Sequence, residues 1–146
     1  MLRRLRPIFE SFQKHDVRYV VFGGIAVALH GVPRATFDLD ILVEPTAENC
    51  RKLLKALEAC GFGTATQVTA EEIATTQITR LKDRILLDIM TSSPGLTFDE
   101  AWRNRVQMEF EGQGFYVVSR DDLIRAKRAA GRPRDLEDLR ALDSGD

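Results

Sequence analysis

The sequence predicts an α/β domain of the α+β kind: a mixed β-sheet flanked by helices, with a pair of helices at the C-terminal end. Three observations carry this prediction. Helical and strand periodicities alternate through the first half of the chain. Two stretches in the second half read as hairpins, which require antiparallel neighbours in the sheet. The length of 146 residues, 44% of them hydrophobic, suits a single domain over 1–146 with a core of its own.

The elements follow in order. Leu2, Leu5, Ile8, Phe9 and Phe12 recur at helical spacing and predict a first helix. Residues 17–22 are rich in valine and aromatics and read as a buried strand, broken by Gly23 and Gly24. A helix over 25–30 ends at Gly31, with Pro33 shortly after. Residues 35–43 form the second strand, stopped by Pro45. Thr46 is placed to cap an amphipathic helix over 47–60, which has Leu53, Leu54 and Leu57 on one side and ends at Gly61.

Residues 62–68 read as a short strand. Thr69 with Glu72 has the spacing of a capping box, and so does Thr97 with Glu100, which opens a short helix through Trp102. Residues 76–81 and 84–90 are two strands joined by a tight turn at Lys82-Asp83. Residues 106–110 and 115–118 form a second hairpin around Glu111-Gly-Gln-Gly114. Ser119 caps a helix running to about Ala130. Gly131-Arg-Pro133 interrupts it, a last helix covers 134–142, and the final residues fray.

Composition excludes some classes of function. With net charge −1 there is no global attraction to nucleic acid or anionic membrane, so any basic surface must be local. No apolar run approaches the roughly 20 residues that span a bilayer, and the basic start of the chain lacks the apolar core of a signal peptide. Cys50 and Cys60 have neither a CxxC pairing nor a histidine at metal spacing, and read as free thiols in a reducing cytoplasm. His15 and His30 are equally isolated.

The chemistry concentrates in acids. Asp38 and Asp40 stand one residue apart in an apolar run. Strand periodicity sends both carboxylates to one face, while Phe37, Leu39 and Ile41 point to the other. Two adjacent anions repel unless a cation lies between them, and hard divalent cations take carboxylate oxygens. Asp88 sits in Ile85-Leu-Leu-Asp-Ile-Met90 with only apolar neighbours. If its strand pairs beside the Asp38–Asp40 strand, it completes a three-carboxylate cluster able to hold two metal ions. The plainer alternative is that these acids face solvent on the wet side of the sheet. Upstream, the Gly23-Gly24 turn offers backbone N–H groups suited to phosphate.

Gly23-Gly24, thirteen intervening residues, Asp38-Leu-Asp40 and a later Asp88 together resemble the nucleotidyltransferase superfamily with the DNA polymerase β-like fold. The string Phe22-Gly-Gly-Ile-Ala-Val-Ala-Leu-His-Gly31 followed by Arg34-Ala-Thr-Phe-Asp-Leu-Asp40 is similar to AbiE-type toxins and related bacterial proteins. So is Asp122-Leu-Ile-Arg-Ala-Lys127 followed by Gly131-Arg-Pro-Arg-Asp-Leu-Glu-Asp138.

The resemblance implies roles. Gly23 and Gly24 would approach the β and γ phosphates of a nucleoside triphosphate. Asp38 and Asp40 would bind two magnesium ions, with manganese as a substitute. Asp88 would bind the catalytic ion and help deprotonate the attacking hydroxyl. Arg34 and Thr36 would line the approach. Lys127 and Arg132 would meet the triphosphate or the acceptor, although Arg132, Arg134, Asp135, Glu137 and Asp138 also read as ion pairs along a helix. The acceptor would be RNA, a protein side chain or a small molecule. Larger members carry an acceptor-binding domain for which this chain has no room, so a second subunit or a partner protein would complete the site. The rival to this enzyme is a catalytically silent toxin–antitoxin component that keeps the fold for binding, and behind it stands a plain structural α/β domain.

Overall fold

The computed structural model describes residues 1–34 and 38–144. In chain order the elements are α1 (Leu2–Lys14), β1 (Tyr19–Phe22), α2 (Gly23–Leu29), β2 (Asp38–Val43), α3 (Ala47–Ala59), a 3₁₀ turn (Gly63–Gln67), α4 (Ala70–Thr75), β3 (Ile78–Lys82), β4 (Leu86–Met90), α5 (Phe98–Arg103), β5 (Val106–Phe110), β6 (Gln113–Val117), α6 (Arg120–Ala130) and α7 (Pro133–Ser144). The strands form one sheet in the order β3-β4-β2-β1-β6-β5. β2–β4 and β1–β6 are parallel, while β1–β2, β3–β4 and β5–β6 are antiparallel. The predicted mixed sheet with flanking helices is the observed one.

Register assigns the two faces. Side chains directly opposite one another in a ladder leave the same side of the sheet. Tyr19, Val21, Leu39, Ile41, Leu87 and Ile89 therefore share one face, and all are buried. α1 lies on that face: the Phe9 ring stacks on Phe115 at 4.5 Å, and Phe12 tilts against Tyr19 at 4.8 Å. The other face carries Phe22, Asp38, Asp40, Leu42, Asp88 and Met90.

Local signals predict the helix starts well. Thr46, Thr69, Thr97 and Ser119 each accept the backbone N–H three residues on, and Thr69 and Thr97 complete reciprocal boxes with Glu72 and Glu100. Each such cap contributes about 1 kcal/mol. Gly131 ends α6 in the left-handed conformation, and Pro133 opens α7, where its missing N–H costs nothing.

Three expectations change. Residues 62–68 are not a strand: Phe62 precedes the 3₁₀ turn and buries with Ala65, a spacing of three that this turn satisfies and a strand does not. The second hairpin closes on only two residues, Glu111 and Gly112, both at positive φ (47° and 79°), the left-handed pattern that matches strand twist. The turn between β3 and β4 has three residues rather than two, because Lys82 pairs with Leu86.

Candidate active site

The site lies where β1 hands over to α2 and where β2 and β4 run side by side. Gly23 begins α2 directly, with φ +61°. A Cβ on it would overlap the Asp40 side chain, with Cγ at only 2.7 Å. Glycine is therefore required here both by backbone conformation and by space. Gly24 follows in the first turn of the helix, and its backbone N–H favours the ionised form of Asp40.

β2 and β4 are parallel neighbours, with Asp40 directly opposite Asp88. Both side chains leave the same face, and Asp38 leaves it two residues earlier. All three acids are half-buried. The Asp40 carboxyl is pushed up to about 6. Burial is the largest cause, followed by the charges of Asp88 and Asp38.

A residue without a sequence motif completes the cluster. Arg80 on β3 stands opposite Asp88 and grips both of its oxygens, Nε to Oδ1 at 2.8 Å and Nη2 to Oδ2 at 3.0 Å. Among the described residues, no three His, Cys, Asp or Glu are gathered tightly enough to hold a metal ion as they stand. The donor chemistry nevertheless suits a hard divalent cation, which would relieve the repulsion between Asp40, Asp38 and Asp88. Using both oxygens of Asp88 for that purpose requires Arg80 to let go.

The predicted basic residues gather beside the acids, but each charged end is engaged. Lys127 Nζ lies 3.2 Å from Asp135 and 3.0 Å from Asp138. Arg34 bonds Asp138 at 2.5 Å, and Arg132 bonds Asp135 at 2.7 Å. Arg132–Asp135 is an i, i+3 pair of the kind expected along the helix, but Lys127, Asp135 and Asp138 are buried, so the network is not a solvated one. Burial pushes both aspartates up, yet the opposing cations win. Bonds from Arg132 and Lys127 bring Asp135 down to about 2, and Arg34 and Lys127 hold Asp138 below its ordinary value. Three cations share two carboxylates, so the cluster keeps a positive surplus. The charge of Asp40 is felt as far as Arg132. Thr36 lies outside the described residues.

A cleft of about 320 Å³ opens beside the acids, with Phe22, Ile78, Met90, Ser93, Lys127 and Arg132 in its walls. Phe22 is the ladder partner of Asp40, and Met90 follows Asp88 on the same face, so the cleft and the acids adjoin. A larger cavity of about 390 Å³ lies at the start of β1 near Trp102 and Tyr116; neither cavity has Asp38, Asp40 or Asp88 in its walls. The adjoining cleft is the relevant one because it shares a face with the carboxylates.

Comparison with known proteins gives the chain a family and a fold. A family model described as a nucleotidyltransferase of unknown function (DUF6036) matches residues 3–143. A crystal structure from Thermotoga maritima, of a protein whose own nucleotidyltransferase assignment is provisional, superposes with a TM-score of 0.64 at 23% identity. The match covers 95% of this chain and 89% of that one; at this identity the likeness is one of fold. No curated protein matches at a significant level. The comparisons name the superfamily and do not name its AbiE-type branch.

Proposed function

Because the chain belongs to the DUF6036 family of nucleotidyltransferases of unknown function, we propose that it moves a nucleoside monophosphate from a nucleoside triphosphate to a hydroxyl acceptor. The acceptor oxygen attacks the α-phosphorus, the bond from that phosphorus to the bridging oxygen breaks, and pyrophosphate leaves. The observation that supports this best is the in-register pairing of Asp40 with Asp88 on one sheet face, against the backbone of Gly23.

Asp38 and Asp40 would hold two magnesium ions, or manganese in their place, and Asp88 would share one of them and accept the hydroxyl proton. When bound, the metal supplies charge neutralisation for the triphosphate and the leaving group. Gly23 and Gly24 would let the backbone approach the phosphates. Arg34, Lys127 and Arg132, fixed on Asp135 and Asp138, would present a positive wall rather than mobile contacts, and Thr36 would line the approach. The cleft beside Phe22 and Met90 gives the nucleoside or the acceptor an apolar surface. The acceptor is RNA, a protein side chain or a small molecule, with a partner protein or a second copy completing its site, as in a toxin–antitoxin pair. No helix among the described residues is long and apolar enough to cross a membrane.

The test is label transfer from α-labelled triphosphates with magnesium into total RNA, cell protein and small hydroxyl compounds, comparing the wild type with Asp40→Asn. Transfer that the substitution abolishes supports the enzyme. A second reading, a binding protein that keeps the fold without turnover, is favoured by the Arg80 fork on Asp88. It gains if no acceptor is labelled and the two proteins behave alike.

A further inference from the structure

Arg80 belongs to no motif, yet the fold brings its guanidinium to the acid site. β3 is an edge strand of the sheet, and Arg80 meets Asp88 across the β3–β4 ladder. The contact is a planar fork on both carboxylate oxygens, the strongest geometry for this pair of groups. The two partners are unlike in one respect: the Asp88 side chain is 14% exposed, the Arg80 side chain 63%. The carboxylate is fixed in the sheet, and the guanidinium reaches it from solvent on a flexible stem.

Arginine does not give up its proton, so it leaves a carboxylate only by swinging away. An exposed edge strand permits that motion, because the guanidinium that leaves the carboxylate is already largely in solvent. While the fork is closed, each oxygen of Asp88 already accepts from Arg80, and the guanidinium charge beside it opposes a second cation shared with Asp40. We infer that Arg80 is an exchangeable counter-ion, holding Asp88 in the cation-free protein and displaced from it when a divalent cation binds between Asp88 and Asp40. This rests on the metal site proposed above. Arg80 would thus be a positioning residue that sets the cation affinity of the site, and it would compete with the ion rather than assist it.

The experiment titrates manganese into the full chain, reading free ion by electron paramagnetic resonance, for wild type, Arg80→Gln, Arg80→Lys and Asp40→Asn. Circular dichroism checks that each variant is folded. Arg80→Gln should bind manganese about three- to tenfold more tightly than wild type at low salt. The gap should narrow at about 0.5 M salt, where screening has already weakened the pair. Arg80→Lys, which keeps the charge and loses the fork, should fall between them and serves alone if the glutamine variant does not fold. Without metal, Arg80→Gln should melt below wild type, and it should gain more on adding manganese. Equal or weaker affinity in Arg80→Gln overturns the inference and leaves the metal site standing. Absence of manganese binding in wild type and both Arg80 variants overturns both.

Discussion

Gly23 and Asp40 touch so closely that a single methyl group on the glycine would occupy the space of the carboxylate. The left-handed φ of Gly23 and the position of Asp40 are thus one constraint, imposed where β1 becomes α2. Gly23→Ala should cost about 1–2 kcal/mol from the backbone conformation alone. It should also push Asp40 off its position opposite Asp88 and weaken manganese binding. Urea denaturation and metal titration of the variant measure the two effects. Unchanged values in both would reduce the glycine to an ordinary turn residue.

The raised value of Asp40 predicts a pH dependence. Its carboxyl ordinarily titrates near 3.8 and does so at about 6 in the folded protein, so the fold prefers the neutral acid. That contribution is fully present below the unfolded value and is lost as pH rises through about 6. Asp38 and Asp88 push in this direction, while the Gly24 N–H opposes it. Asp40→Asn removes the penalty. In metal-free buffer the variant should gain on wild type between about pH 4 and pH 7, by at most about 3 kcal/mol. Parallel stability curves across that range would show that Asp40 carries no such strain.

Metal should act most strongly where Asp40 is ionised. At a magnesium concentration 100 times the dissociation constant, binding to the native state alone adds about 2.7 kcal/mol. The melting temperature of wild type should therefore rise with magnesium above about pH 6 and respond less below about pH 5, where protons compete for the same oxygens. Asp40→Asn should abolish the response. A melting temperature indifferent to magnesium and manganese, with nucleotide present, would count against a metal site on these acids.

Lys127 offers a separate check on the basic wall. A solvated lysine is replaceable at little cost, whereas a buried one between two aspartates is not. Lys127→Met should destabilise by about 2 kcal/mol, since it takes the shared buried cation from Asp135 and Asp138 and leaves each with one arginine. Asp135→Ala should cost a similar amount, and the double variant should cost less than the two together. Additive losses would mean that the lysine and the aspartate do not depend on each other.

Signals only two to four residues long determined much of this protein from the sequence alone. The spacing of Asp38 and Asp40 puts both on one face of β2 whatever that strand pairs with, because side-chain alternation belongs to the strand itself. The caps at Thr69 and Thr97 are equally local, since cap and partner lie within one helical turn. Tertiary structure decided the rest. That β4 lies parallel to β2 with Asp88 opposite Asp40 is a pairing between segments about fifty residues apart, which no local pattern encodes. A two-residue turn at Lys82-Asp83 would have put Gln77 opposite Asp88 and turned Arg80 to the other face. The observed three-residue loop shifts the register by an odd number of positions and brings Arg80 to the acids. Lys127 and Asp138 are eleven positions apart on different helices, and only the packing of α6 against α7 buries them together. Desolvation then converts a surface-like run of charges into a closed network.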